Sequence, residues 1–172
     1  MKTAKTRSAK KRAAKATRKR PVSPIPPGHP AVSAYLIVDG AADALAFYRK
    51  AFGAKELMRH VAPGGKIGHA EVRIGDSIVM LADEHPEVDA RGPRAFGGSP
   101  VRLHVYVKDV DAVAAQAIAA GARVVRPVQD QFYGDRSGTI TDPFGHKWTI
   151  ATHTKDIPVE ELQKLAAQHT GS

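Results

Sequence analysis

The sequence has no cysteine. Disulfides, a thiolate nucleophile and thiolate metal sites are thereby excluded, and the absence fits a reducing compartment, so a cytoplasmic location is the expectation. No apolar run approaches the roughly 18 residues that a bilayer-crossing helix needs, so no membrane association is expected. Acidic residues are missing from one place: Met1 to Arg20 holds ten Lys or Arg and no Asp or Glu. The formal net charge of +9 therefore belongs to that segment, because the other residues carry 16 basic against 17 acidic side chains.

Met1 to Pro30 also offers nothing apolar to bury before Val22 and Ile25. Such a stretch cannot offset its ordering entropy, and a disordered basic tail over residues 1–30 is expected. Three readings of it stand side by side: a solvated extension, an arm that binds nucleic acid by releasing condensed counterions, and an Arg-rich transit segment. No aromatic side chain interleaves its charges, which weakens a base-stacking role.

At 172 residues the chain is long enough for one compact domain or two fused small modules. From Ala31 the pattern is that of a folded domain. Val32 to Val38 alternates as a strand, and Ala42 to Phe52 places Leu45, Tyr48 and Phe52 on one helical face before Gly53 ends it. Strands follow at Lys55 to His60, Ile67 to Ile74 and Ser77 to Ala82, the last two joined by a tight Gly75-Asp76 turn. Glu84 to Pro100, rich in Gly, Pro and charge, is a linker.

The same order then repeats. Arg102 to Val107 is a strand, Val110 to Ala120 a helix closed by Gly121, and Arg123 to Pro127 a strand. A hairpin of Ser137 to Thr141 and His146 to Thr152 follows, turned by Asp142, Pro143 and Gly145. Its second strand alternates, with Trp148 on the face expected to pack and only that side buried. Phe52-Gly53-Ala54 and Ala120-Gly121-Ala122 fall at equivalent places, so the chain reads as two copies of strand, helix and three strands, about 31–84 and 101–153. Asp156 and Pro158 then start a C-terminal helix in residues 157–172.

Several stretches together resemble the glyoxalase, bleomycin-resistance and dioxygenase superfamily, also called vicinal oxygen chelate, and its PhnB-like branch above all. They are Leu36-Ile37-Val38, Ala46-Phe47-Tyr48, Gly68-His69-Ala70-Glu71, Val107-Lys108-Asp109-Val110-Asp111-Ala112, Asp130 to Arg136 and Asp142 to Trp148. The resemblance covers about 30–156. It implies an α+β fold of two tandem βαβββ modules, forming a curled mixed sheet around one cavity, in a homodimer. It also implies a small-molecule ligand and a divalent metal held by the first and last strands of each module. Matched by motif, those four positions fall on Tyr35, Met80, His104 and Thr149. A phenol, a thioether, one imidazole and a hydroxyl are a poor set for Zn²⁺, Mn²⁺ or Fe²⁺.

Strand alternation gives a second route to candidate residues. Ala70, Val72 and Ile74 should pack under a helix, which turns His69, Glu71 and Arg73 to the other face. Leu103, Val105 and Val107 pack likewise, turning His104 and Tyr106 outward. His69, Glu71 and His104 are therefore the catalytic candidates. They form either a displaced metal site built on His69 and His104 or an acid–base group that needs no metal. Tyr35, Met80, Tyr106, Tyr133, Arg136 and Thr149 are expected to line the pocket, with Arg136 a possible clamp for an anion. Glu71 and Arg73, two apart on one face, have the simpler reading of an ion pair, and His146 beside its turn glycine that of a solvated side chain.

The reaction is left open among lyase, isomerase and dioxygenase. A non-catalytic protein that sequesters a small molecule is the alternative, and nucleic-acid association through the tail is a third reading. If the tail binds nucleic acid, retention on DNA falls steeply with added salt and disappears when Met1 to Arg20 is removed; undiminished binding by the shortened chain rejects it.

Overall fold

The computed structural model describes residues 22–169, so the basic run of the tail lies outside the described residues. The expected repeat is present. Strand β1 (Ala34–Val38), helix α1 (Ala41–Phe52) and strands β2 (Lys55–Val61), β3 (Ile67–Ile74) and β4 (Ser77–Asp83) form the first module. Strand β5 (Arg102–Tyr106), helix α2 (Val110–Ala119) and strands β6 (Arg123–Asp130), β7 (Asp135–Thr141) and β8 (Lys147–His153) form the second, and α3 (Val159–His169) follows. Each module is one four-stranded mixed sheet, in the orders β1-β4-β3-β2 and β5-β8-β7-β6. The first strand of each pairs in parallel with the last, while the other neighbours are antiparallel. The architecture is α+β, with two sheets rather than one continuous one.

Equivalent side chains start the two helices by different chemistry. Gly40 supplies no side-chain cap to α1, and the Asp83 carboxylate at the end of β4 accepts instead from the Gly40 and Ala41 amides at 3.1 and 2.7 Å. In α2, Asp109 caps its own helix by accepting from Ala112 N, and Thr152 at the end of β8 accepts from Val110 N at 2.9 Å. Gly53 closes α1 in the left-handed conformation, as the sequence requires. The second helix differs in detail: Ala120 is its right-handed cap, and Gly121 takes positive φ one residue later.

Alternation sorts the β3 residues as expected: Ala70, Val72 and Ile74 are buried, and His69, Glu71 and Arg73 are partly exposed on the other face. On β8 the expectation of one packed side fails. Trp148 and Ile150 are buried, but so are Thr149 and Ala151, in a strand flanked on both edges by β5 and β7. His146, expected in solvent, is also buried, with Nε2 3.3 Å from the Ile37 carbonyl.

The modules meet through α1, α2 and the β7–β8 turn. Of the ten Phe, Tyr and Trp in the chain, five gather there: Phe47, Tyr48 and Phe52 from α1 against Phe144 and Trp148. Phe52 and Trp148 lie 4.7 Å apart between ring centres, and contacts of this kind add about 0.5–1.5 kcal/mol each beyond area burial. At the centre is the buried carboxylate of Asp142. One oxygen accepts from Tyr48 OH at 2.9 Å and Trp148 Nε1 at 3.0 Å, and the other from the Phe144 and His146 amides. Burial, and secondly the adjoining carboxylate, push the Tyr48 phenol well above its usual pKa, which keeps it a donor.

Removing one partner of a buried charged hydrogen bond strands the other. Tyr48→Phe is expected to cost about 1.5–3 kcal/mol, and Asp142→Leu more, in urea unfolding followed by circular dichroism. A Tyr48→Phe protein as stable as the parent contradicts this role for Asp142.

Candidate functional site

The face of the first sheet opposite α1 carries a continuous polar chain. Tyr35 on β1 places its hydroxyl 2.9 Å from His69 Nδ1, and His69 Nε2 lies 3.3 Å from one Glu71 oxygen. The other Glu71 oxygen lies 2.9 Å from His29 Nε2. Strand pairing explains the grouping: Tyr35 stands opposite Met80 and Met80 opposite Glu71, so all three share one row across the sheet, with His69 two residues along. Glu71 thus pairs with His29 and His69, not with Arg73. The His29 hydrogen bond, and then that of His69, hold the Glu71 carboxyl below its usual range.

His29 could not be foreseen, because it lies in a Pro-rich stretch without periodicity, and a loop residue's destination is set by the path of the chain. The hydrogen bond between Tyr35 and His69 joins residues 34 apart on different strands, which alternation along one strand does not reveal.

Tyr35 also lines a cavity of about 310 Å³ between β1 and β5, beneath residues 91–101. Ile37, Leu103, Phe96, Arg91 and His146 complete the principal surfaces. Burial pushes the His146 pKa down, so the ring is neutral at neutral pH and donates to the Ile37 carbonyl.

The other expected residues fall on the second module. His104 is on β5 of the second sheet, exposed, with its ring 4.7 Å from that of Tyr106. Tyr106 donates to the buried Asp135 at 2.9 Å, and Asp135 also bonds His153 Nδ1 at 2.8 Å. Asp135 and then Asp156 raise the His153 pKa. Tyr133 OH approaches Ser137 Oγ at 3.4 Å, and Thr149 Oγ1 is buried 3.4 Å from Thr139 Oγ1. Arg136 corrects the expectation of an anion clamp: it grips both oxygens of Asp111 at 2.8 Å and bonds Asp130, which fixes α2 against β7.

The four positions that the family resemblance assigns to a metal do fall in equivalent places, Tyr35 opposite Met80 and His104 opposite Thr149. Their donors do not suit a divalent ion. The Tyr35 hydroxyl is engaged by His69, Met80 offers a thioether, and the Thr149 hydroxyl is turned to Thr139. Among the described residues no group of three or more His, Asp or Glu is arranged to hold a metal. No helix among them is long and apolar enough to cross a membrane.

A carboxylate with a depressed pKa stabilises the fold above its ordinary value, here 4.5, and loses that contribution as pH falls through the lower folded value. The melting temperature of Glu71→Gln should therefore fall less between neutral pH and pH values below 4.5 than that of the parent. Parallel profiles reject the hydrogen-bonded chain at Glu71.

Comparison with known proteins places this geometry. The family model for the Glyoxalase/Bleomycin resistance protein/Dioxygenase superfamily matches residues 28–150. The uncharacterized protein Mb0911c of Mycobacterium bovis is 44% identical over 137 residues, covering 78% of this chain and 90% of that one. The X-ray structure of the Arabidopsis thaliana gene product At5g48480 superposes with a TM-score of 0.58 at 27% identity, covering 71% of this chain and 98% of that one. TioX from a Micromonospora species gives 0.57 at 28% identity, covering 75% and 100%. With tandem modules of the same order and a family match over most of its length, the chain belongs to the Glyoxalase/Bleomycin resistance protein/Dioxygenase superfamily.

Proposed function

We propose that the protein acts on a small molecule at the first-module face, by acid–base chemistry that takes no metal. The observation that carries this reading is the chain from Tyr35 through His69 and Glu71 to His29. A phenol, an imidazole and a carboxylate in hydrogen-bonding sequence form a relay in which Glu71 orients His69, and His69 takes or returns a proton through Tyr35. Tyr35 connects this relay to the adjoining cavity, whose volume of about 310 Å³ lies at the lower end for ligand pockets. Proton transfer to or from a ligand, in the isomerase or lyase class, is the chemistry such a relay supplies. The donors at Tyr35, Met80, His104 and Thr149 do not suit a metal.

The second reading is sequestration without turnover, and the lack of carboxylates at Met80 and Thr149 favours it. Both readings include a homodimer in a reducing compartment such as the cytoplasm. The support is that each module packs its helix on one side of its sheet and leaves large side chains exposed on the other, Tyr35 and Met58 in one and Tyr106 in the second. A second copy covering these faces would bring His104 toward a site that otherwise lacks it. Light scattering should then give twice the 18.4 kDa chain mass.

A thermal-shift screen of small carbonyl and phenolic compounds, with and without EDTA, tests the proposal. A saturating ligand at about 100 times its Kd adds about 2.7 kcal/mol. The shift is expected to survive EDTA and to weaken in Tyr35→Ala. Turnover of that ligand, lost in His69→Ala, separates the enzyme from the sequestering protein. Stoichiometric metal in protein purified without chelator, together with a shift abolished by EDTA, sinks the metal-free reading.

A further inference from the structure

The second sheet carries a row of cations that the relay does not use. At one end of the sheet Arg102 stands opposite Lys147, Lys147 opposite Thr141, and Thr141 opposite Arg123, so the row crosses all four strands β5-β8-β7-β6. Directly opposed residues share a face, so three cations and a hydroxyl lie side by side. Neighbouring strands are about 4.8 Å apart, which puts Lys147 and Arg123 roughly 10 Å apart across Thr141, close enough for their long side chains to reach one ligand. Arg94 adds a fourth cation from residues 93–98, held in place by donation to the Pro143 carbonyl.

Among the described residues Arg94, Arg102, Arg123 and Lys147 form no ion pair, whereas Arg136 has two carboxylate partners and Arg59 one. The carboxylate that lines the same cleft, Asp142, is 3% exposed and already accepts from Tyr48, Trp148 and two backbone amides. Like charges directly opposed across a sheet destabilise it, so Arg102 facing Lys147 costs free energy that an anion would offset. Outside its first 20 residues the sequence has slightly more acids than bases, so an unpaired group of four cations is not a consequence of overall charge.

Arg94, Arg123, Thr141 and Lys147 line a cleft of about 600 Å³ between residues 93–98 and the turn at residues 142–145. That is far more room than a single oxyanion fills, and within the usual range for organic ligands. Its other walls are Gly, Pro and the engaged Asp142, with no aromatic ring for a base to stack on.

We propose that this cleft is a binding site for a small, polar, non-aromatic molecule bearing a phosphate or a comparable doubly charged oxyanion. Arg123, Lys147 and Arg94 hold the charge, and Thr141 donates a hydroxyl. The site is separate from the Tyr35–His69–Glu71 relay and stands or falls without it.

Calorimetric titration of the full-length protein with inorganic pyrophosphate at low ionic strength tests it. The expectation is saturable binding that Arg123→Gln and Lys147→Gln each weaken about tenfold, with Lys55→Gln on the first sheet as an unaffected control. Arg123 is exposed and Lys147 half-buried, and an unchanged melting temperature shows that the variants fold. Pyrophosphate binding that neither substitution changes belongs to the basic tail and overturns the proposal. The absence of saturable binding does so as well. A single-stranded oligonucleotide whose binding depends on Arg123 and Lys147 while pyrophosphate binding does not would mark the row as a nucleic-acid surface, and this outcome also overturns it.

Discussion

The Asp142 carboxylate is the constraint on which the joint between the modules depends. A buried charge is tolerable only when its oxygens are satisfied, and here the four donors come from both halves of the molecule: Tyr48 from α1, and Trp148, Phe144 and His146 from around the β7–β8 turn. The turn cannot move relative to α1 without breaking at least one of these bonds. Because five aromatic rings pack around the same point, the apolar and polar contributions reinforce each other. The Ile37 carbonyl, reached by His146, ties β1 to the same turn and so fixes the seam at which Tyr35 and the smaller cavity lie.

Repetition of the module has not kept the two faces chemically alike. In the first, the row through Tyr35, Met80 and Glu71 leads to imidazoles on either side of a carboxylate. The corresponding row of the second is His104, Thr149 and Thr139, hydroxyls where the first has a thioether and an acid. One backbone plan thus presents a titratable hydrogen-bond chain on one sheet and, one row further along the other, a set of cations. Residues chosen independently on a shared scaffold can do this, since outward-facing side chains on a strand are not held to the packing that fixes inward ones.

The sequence carried the fold well and the site unevenly. Gly53, the Gly75-Asp76 turn and the Asp142-Pro143-Phe144-Gly145 turn are local signals, and each marks the end of an element in the structure. The two faces of β3 followed from alternation alone. Alternation failed on β8, where Thr149 and Ala151 are buried in a strand held between β7 and the sequence-remote β5. It also could not supply Arg136's partners, Asp111 and Asp130, which lie 25 and 6 residues away and were as plausible in solvent.

By itself the sequence determined the number and order of the modules, the faces on which His69, Glu71 and His104 stand, and the poverty of metal donors at Tyr35, Met80, His104 and Thr149. Those properties depend on residue type and on spacing along one strand or helix. Tertiary structure alone decided that Asp142 would be a buried junction, that His29 would close on Glu71, that His69 and His104 would stand on separate sheets, and that Arg102, Lys147 and Arg123 would form one row. Each of these requires the register between strands distant in sequence, which is set by the packing of the whole domain.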